Sequence, residues 1–186
     1  VEIKTGKRPA ALLYYAYFKP RGVITHSPGD EETDIREDVP ELAEQGVFPV
    51  GRLDKDSHGL IILTNDGRIT DRLLNPDRAH EKEYVVRVRE KMRPSFKEHM
   101  EKGVDIEGYV TKPAKVRILG ELSFSIVLTE GKKHQIRRMV VALHNETKEL
   151  KRVRIMNIKL GGLPTGAFRP IEGAELTEFL TRLGLA

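Results

Sequence analysis

The sequence predicts an α+β fold built on a mixed, mainly antiparallel sheet with flanking helices. Three observations point there. Apolar segments of strand periodicity are interspersed with segments of helical periodicity. Neighbouring β segments within residues 104–130 are joined by short turns at Gly108 and Gly120, as in hairpins. No glycine-rich phosphate loop follows a strand, which disfavours a doubly wound nucleotide-binding sheet.

In chain order, residues 12–18 (LLYYAYF) are apolar and β-prone and end at Lys19-Pro20-Arg21-Gly22, where Pro and Gly impose a turn. Residues 23–25 read as a second short strand and residues 27–33 as a polar, acidic loop. Asp34 is placed to cap a helix reaching Glu44, with Gly46 beyond its end and Pro40 breaking it in two. The chain is organised around residues 49–67, PVGRLDKDSHGLIILTNDG. There a loop carrying Arg52, Asp54, Lys55 and Asp56 passes through Gly59 into Leu60, Ile61, Ile62 and Leu63, four consecutive aliphatics that read as a buried strand. Asn65-Asp66-Gly67 accepts positive φ and is expected to end that strand in a tight turn. A charged loop clamped by a buried strand holds a side chain rigid, which singles out Asp54.

Ile69, Leu73 and Leu74 then fall at helical spacing until Asn75-Pro76 stops the helix. Residues 80–89 alternate, with Tyr84, Val86 and Val88 on the inward face of a strand. Arg93-Pro94-Ser95 opens a helix to Lys102 that Gly103 closes. Residues 104–130 are read as VDI, YVTKPAKVRIL and LSFSIVLTE strands. Residues 134–144 put Ile136, Met139, Val140 and Leu143 on one helical stripe, residues 148–160 return to a strand, and residues 173–185 form a terminal amphipathic helix.

A chain of 186 residues is ample for one domain, and 39% hydrophobic with 32% charged residues suits a soluble globular protein. No apolar run has the length of a membrane span, and Val1-Glu2-Ile3-Lys4 does not open a signal peptide, so a cytoplasmic protein is expected. The absence of cysteine excludes disulfides, thiolate catalysis and cysteine-bound zinc, leaving the chemistry to oxygen and nitrogen side chains. The net charge is +4, but residues 131–154 carry eight basic residues (Lys132, Lys133, Arg137, Arg138, Lys148, Lys151, Arg152 and Arg154) against Glu146 and Glu149. A polyanion suits such a segment, because neutralising phosphates releases counterions; a solvated basic face is the bland alternative.

Several motifs fail on inspection. Residues 54–59 begin like a calcium loop, but its twelfth position would be Asn65 and its middle is the aliphatic run. His134 and His144 lie ten apart rather than four, so no zinc-binding helix of the HExxH type is present, and no metal is expected. Ser57 and His58 are adjacent and point apart on an extended chain, which makes a poor start for a serine triad. Asp54 and Asp56, as a hydrolytic carboxylate pair, have no fixed geometry on a loop. Taken alone, Asp54 reads equally as a loop carboxylate pairing with Arg52 or Lys55.

The combination KPRGV (residues 19–23), PVGRLDKDSHGLIILTNDG (49–67), HEKEYVV (80–86) and EGKKHQIRRM (130–139) resembles the RsuA-type bacterial pseudouridine synthases. Residues 151–171 (KRVRIMNIKLGGLPTGAFRPI) look most like the RluF branch, which modifies large-subunit ribosomal RNA and acts on a transfer RNA. The resemblance implies the pseudouridine synthase catalytic fold over residues 11–186. Residues 1–10 would be the remnant of a linker that follows an N-terminal RNA-binding S4 domain in relatives. It also implies an isomerase that needs no cofactor, works as a monomer on large-subunit ribosomal RNA, with transfer RNA as an open second substrate, and touches no membrane. The catalytic aspartate of the GRLD motif falls on Asp54, the KxY tyrosine on Tyr84 and the QxR arginine on Arg137. By the same resemblance Arg52 displaces and holds the target nucleotide, and Lys19, Arg21, Lys82, Lys133, His134, Gln135 and Arg138 contact RNA. His134 stands where close relatives often carry Arg. A nearby Arg137 is expected to favour the ionised form of Asp54. A binding factor that keeps the fold without catalysis is the competing reading; loss of Asp54, Tyr84 or Arg137 would favour it, and all three are present.

Overall fold

The computed structural model describes residues 11–25 and 33–186, so the expected linker remnant at residues 1–10 and most of the acidic loop lie outside the described residues. The chain runs β1 (Tyr14–Lys19), α1 (Ile35–Asp38), α2 (Pro40–Ala43), β2 (Phe48–Val50), β3 (His58–Thr64), α3 (Arg68–Leu74), β4 (Lys82–Val88) and α4 (Phe96–Lys102). It continues β5 (Asp105–Ile106), β6 (Tyr109–Val110), β7 (Lys115–Gly120), β8 (Ser123–Leu128), α5 (Gln135–Ala142), β9 (Thr147–Ile155), β10 (Ile158–Lys159), β11 (Phe168–Pro170) and α6 (Gly173–Arg182). Nine strands form one sheet in the order β11-β1-β3-β9-β4-β8-β7, with β2 added to β3 and β10 to β9. Only β3 and β9 run parallel within it, paired at His58 with Lys151 and Gly59 with Arg152; β5 and β6 pair separately. The α+β expectation is met.

β3 explains its own sequence. Leu60 and Ile62 pack with Tyr14, Ala16 and Phe18 beneath α3 and α6, where Ile69, Leu73, Phe179 and Leu183 are buried. Ile61 and Leu63 face the other way, onto Tyr17 and the buried Ile35, Val39 and Leu42 of α1 and α2. A strand covered on both sides has no polar face, hence the unbroken aliphatic run. A third cluster packs Val86, Val88, Phe124 and Ile126 against Phe96 and Met100 of α4 and Ile136, Met139 and Val140 of α5.

The split at Pro40 occurs as expected, with Asp34 accepting the Glu37 N–H at 3.1 Å as N-cap of α1. Four expectations need correcting. Residues 23–25 form no strand, only a bridge from Ile24 to Asp34. The segment YVTKPAKVRIL divides at Lys112-Pro113 into β6 and β7, which belong to different sheets, since proline cannot donate to a ladder. Residues 148–160 form a hairpin, β9 and β10, reversing at Met156 with φ +52°. At the end of β3 Gly67 sits at φ −60°, so no left-handed turn is used.

The work at that turn is done by Asp66. Its carboxylate, 3% exposed, accepts from the Tyr14 hydroxyl at 2.6 Å and from the Arg68 backbone and guanidinium at 3.1, 2.9 and 2.8 Å, tying β1 and β3 to α3. Hydrogen bonding by Arg68 holds the Asp66 pKa down, at about 2, against the opposing effect of burial. The stability this contributes is complete above the ordinary carboxylate range and is lost as pH falls towards 2. Asp66→Asn is expected to lower stability by about 2 kcal/mol at pH 7. In urea titrations that difference should close on approach to pH 2; a gap unchanged at acid pH would refute the charge-based account.

Candidate active site

Residues 51–57 leave β2 and enter β3 as the expected charged loop, and hydrogen bonds fasten it to the KPRGV turn. Lys19 is fully buried, and its ammonium donates to the carbonyls of Pro20 (2.8 Å), Val23 (2.6 Å) and Lys55 (3.5 Å). The Gly22 N–H also donates to Lys55 O at 2.7 Å, and Arg21 Nε to Asp56 O at 3.0 Å. Thr25 Oγ1 donates to Leu53 O at 2.9 Å and accepts Leu53 N–H at 3.2 Å. Lys19, expected at the RNA, is placed here as an internal clasp, its pKa pulled down to about 8 mainly by burial. Arg21 keeps an exposed position on the surface.

The second wall is the segment leading into α5. Glu130 is 5% exposed and accepts from the Tyr109 hydroxyl, from Lys112 N–H at 2.9 Å and from Gln135 Nε2 at 3.0 Å. Burial raises its pKa, but these hydrogen bonds outweigh that and bring it below the ordinary range. Gln135 Oε1 in turn accepts Lys132 N–H at 2.9 Å. Gln135, expected at the RNA, is placed here as a buried brace for residues 131–134. Arg138 is similarly committed, donating to the carbonyls of Lys133 and Ile106 and to Glu107 at 3.2, 3.1 and 3.3 Å.

That brace delivers His134, at φ +52° on the N-terminal end of α5, to the catalytic loop. His134 Nδ1 lies 3.1 Å from Asp54 Oδ2, with both side chains a little under half exposed. The expected cation was Arg137, but Arg137 Nη2 donates to the buried Ser57 Oγ at 3.2 Å, just after the turn at Lys55 and Asp56. Ser57 belongs to this clamp rather than to a triad.

Between these walls lies a cleft of ≈ 760 Å³. Asp54, Arg52, Lys133, His134, Arg137, Tyr84 and Lys82 all line it, together with Leu73, Leu74 and Pro76. Tyr84, 9% exposed, forms part of the floor. Sites for small organic groups are about 300–1,000 Å³, so one extruded nucleotide fits. Asp56 does not line the cleft, which removes the carboxylate pair as a hydrolytic device. No group of three His, Asp or Glu able to hold a metal ion occurs among the described residues.

Arg152 was missed as a part of the site. It is 4% exposed, and it donates to Leu60 O at 2.8 Å and Arg52 O at 3.4 Å, linking β9 to both ends of the catalytic loop. Along β9, Arg152 shares the parity of the buried Leu150, the one sign of its placement in the sequence, but the alternation is broken by the exposed Lys148 and the buried Ile155. Arg154 pairs with Glu81 and Glu83 at 3.2 and 3.4 Å. Residues 131–154 are thus not one basic face. Their cations at the cleft are Lys132, Lys133, Arg137 and Arg152.

Residues 14–142 match the family of RNA pseudouridylate synthases. The dual-specificity RNA pseudouridine synthase RluF of Escherichia coli strain K12 is 41% identical over 167 residues, which cover 90% of this chain and 57% of that protein. The ribosomal large subunit pseudouridine synthase B of Bacillus subtilis strain 168 is 34% identical over 170 residues, covering 88% of this chain and 70% of the relative. A crystal structure of a pseudouridylate synthase superposes with a TM-score of 0.83 at 28% identity, over 94% of this chain and 75% of that one. The chain spans a little over half the length of the RluF relatives it matches.

Proposed function

The chain belongs to the RNA pseudouridylate synthase family, and we propose that it isomerises a specific uridine of large-subunit (23S) ribosomal RNA to pseudouridine, with Asp54 as the catalytic carboxylate. The observation that carries this is the placement of Asp54 at the rim of a cation-lined cleft with Tyr84 in its floor. The relatives' names speak of RluF as dual-specific and of a large-subunit enzyme; a transfer RNA is the second substrate class to test. The protein acts as a cytoplasmic monomer in this reading, and no helix among the described residues is long and apolar enough to cross a membrane.

Isomerisation breaks the C1′–N1 bond, turns the uracil and joins C5 to C1′, with the C5 proton lost and N1 protonated. Asp54 serves as nucleophile at C1′ or as base at C2′, and either role needs an ionised oxygen. Hydrogen bonding from His134 orients that oxygen. Tyr84 stacks on the uracil once the nucleotide leaves its stack, a step costing a few kcal/mol. Arg52, exposed on the rim, is placed to hold the displaced nucleotide. Pseudouridine appearing in large-subunit ribosomal RNA treated with this chain tests the reading. Binding with no conversion, by this chain and by longer forms carrying an N-terminal S4 domain, would favour the binding factor instead.

Phosphate contacts should fall on the exposed rim cations. Lys132→Ala with Lys133→Ala is expected to reduce the slope of log affinity against log salt by about 1.5, at roughly 0.7 to 0.9 per phosphate contact. Arg154→Ala, whose guanidinium is engaged by Glu81 and Glu83, should leave the slope unchanged. The reverse order of effects would move the RNA path to β9.

A further inference from the structure

Of three cations drawn in from solvent, Lys19 behind the catalytic loop and Arg152 and Lys82 in the cleft wall, two are accounted for by the fold. Lys19 is saturated by three carbonyls and Arg152 by two. Lys82 differs. It opens β4 in the middle of the sheet, paired with Leu128 of β8 and Ile155 of β9, and both of those residues line the cleft beside it. Its side chain shares a face with Tyr84, two residues on. Among the described residues its ammonium has no carboxylate and no hydrogen-bond partner.

Removing an ammonium from water without pairing it is unfavourable. Burial, and after it the neighbouring Arg152, draws the Lys82 pKa down to about 8. Such an arrangement persists where a ligand supplies the missing negative charge. Two sources exist on an RNA: the phosphodiester, and the base at the moment it leaves. The phosphates are served by Arg52, Lys132 and Lys133 on the rim, whereas Lys82 lies inward beside the tyrosine. When the C1′–N1 bond breaks, its electron pair departs with the uracil and spreads over N1, O2 and O4. The deficiency at C1′ is met by the Asp54 carboxylate or by the C2′ electrons after proton removal.

We propose that Lys82 is a catalytic residue that donates to the uracil oxygens and neutralises the charge on the departing base. The proposal rests on the pseudouridine reading and goes beyond the RNA contact expected from the sequence. A preorganised donor aimed at developing charge in a partly apolar cleft acts chiefly on the chemical step.

The test compares wild type, Lys82→Met and Lys82→Gln on a large-subunit ribosomal RNA fragment. It measures the single-turnover rate at saturating enzyme, the dissociation constant and the melting temperature. The expected result is a rate lowered about 10²- to 10³-fold, with affinity within about threefold. Melting should be at or above that of wild type, since a half-buried charge without a partner has gone. An unaltered rate overturns the proposal while leaving the enzyme reading intact. Weakened affinity with a normal rate at saturation overturns it in favour of a phosphate contact, and lowered melting in both variants overturns it in favour of a structural role. A wild type that makes no pseudouridine in any ribosomal RNA removes the enzyme reading, and this proposal with it.

Discussion

Asp54→Asn should bind ribosomal RNA within about threefold of wild type and lose at least about 10⁴-fold of its rate of pseudouridine formation. The expectation follows from how little the fold asks of this side chain. Asp54 is 42% exposed, and its only side-chain partner among the described residues is His134 Nδ1 at 3.1 Å. An asparagine oxygen of the same shape can still accept from that nitrogen, so the stability change should stay within about 0.5 kcal/mol. The loop around it is held by backbone groups that the substitution does not touch: Leu53 by Thr25, Lys55 by Gly22 and Lys19, Arg52 by Arg152. What the amide lacks is a charged oxygen to attack C1′ or to take the C2′ proton. Quantifying pseudouridine in the RNA under single turnover, beside a binding isotherm, separates the two quantities. A residual rate above about a hundredth of wild type would show that Asp54 is not the reacting group, whichever route is used.

Much of this site was legible, and the residues that were not share a physical reason. Asp54, Tyr84 and Arg52 were found from their motifs and all line the cleft. The clasp made by Lys19 was not, because a lysine beside a proline in a basic turn reads as surface. Only the tertiary contact shows that three carbonyls, one from residue 55, converge on its ammonium. The contacts of Gln135 and Arg138 were equally hidden: Glu130 lies in the loop after β8, and Ile106 and Glu107 come from β5 and its turn, some thirty residues away from Arg138. The pairing of Asp54 with His134 instead of Arg137 spans eighty residues and depends on a single left-handed residue at the start of α5. Elements came through better than contacts. Every helix expected within the described residues occurs, whereas two of the strand errors fall where proline or a left-handed residue interrupts an apolar run, at Pro113 and Met156, and the third is the short segment 23–25, which makes a single bridge.

Gly59→Ala is expected to be among the most damaging single-methyl changes at the glycines of the described residues, because the site and the sheet meet at that residue. Gly59 is at φ +113°, and a Cβ built there would lie 2.3 Å from Arg152 O, 2.7 Å from Arg152 N and 3.0 Å from Arg152 C. All three are backbone atoms of β9, so no side chain can swing aside. The conformation itself is one that residues with a Cβ avoid. Relief requires β9 to move away from β3 at the parallel pair His58 with Lys151 and Gly59 with Arg152. That movement would break the Arg152 bond to Leu60 O and, through the pairing of Arg152 with Tyr84, shift the cleft floor. The combined clash and strain should destabilise by about 3–5 kcal/mol, a large part of a typical 5–15 kcal/mol total. For a chain of this size that corresponds to a melting temperature lower by about 10 °C. Gly161→Ala supplies the control: its φ is +56°, but nothing lies within 4 Å of the added Cβ. Only the left-handed strain of about 1–2 kcal/mol should appear there. Equal melting of the two variants would mean that β9 yields at Arg152 without loss. The close approach at Gly59 would then be no constraint on where Asp54 and Tyr84 stand.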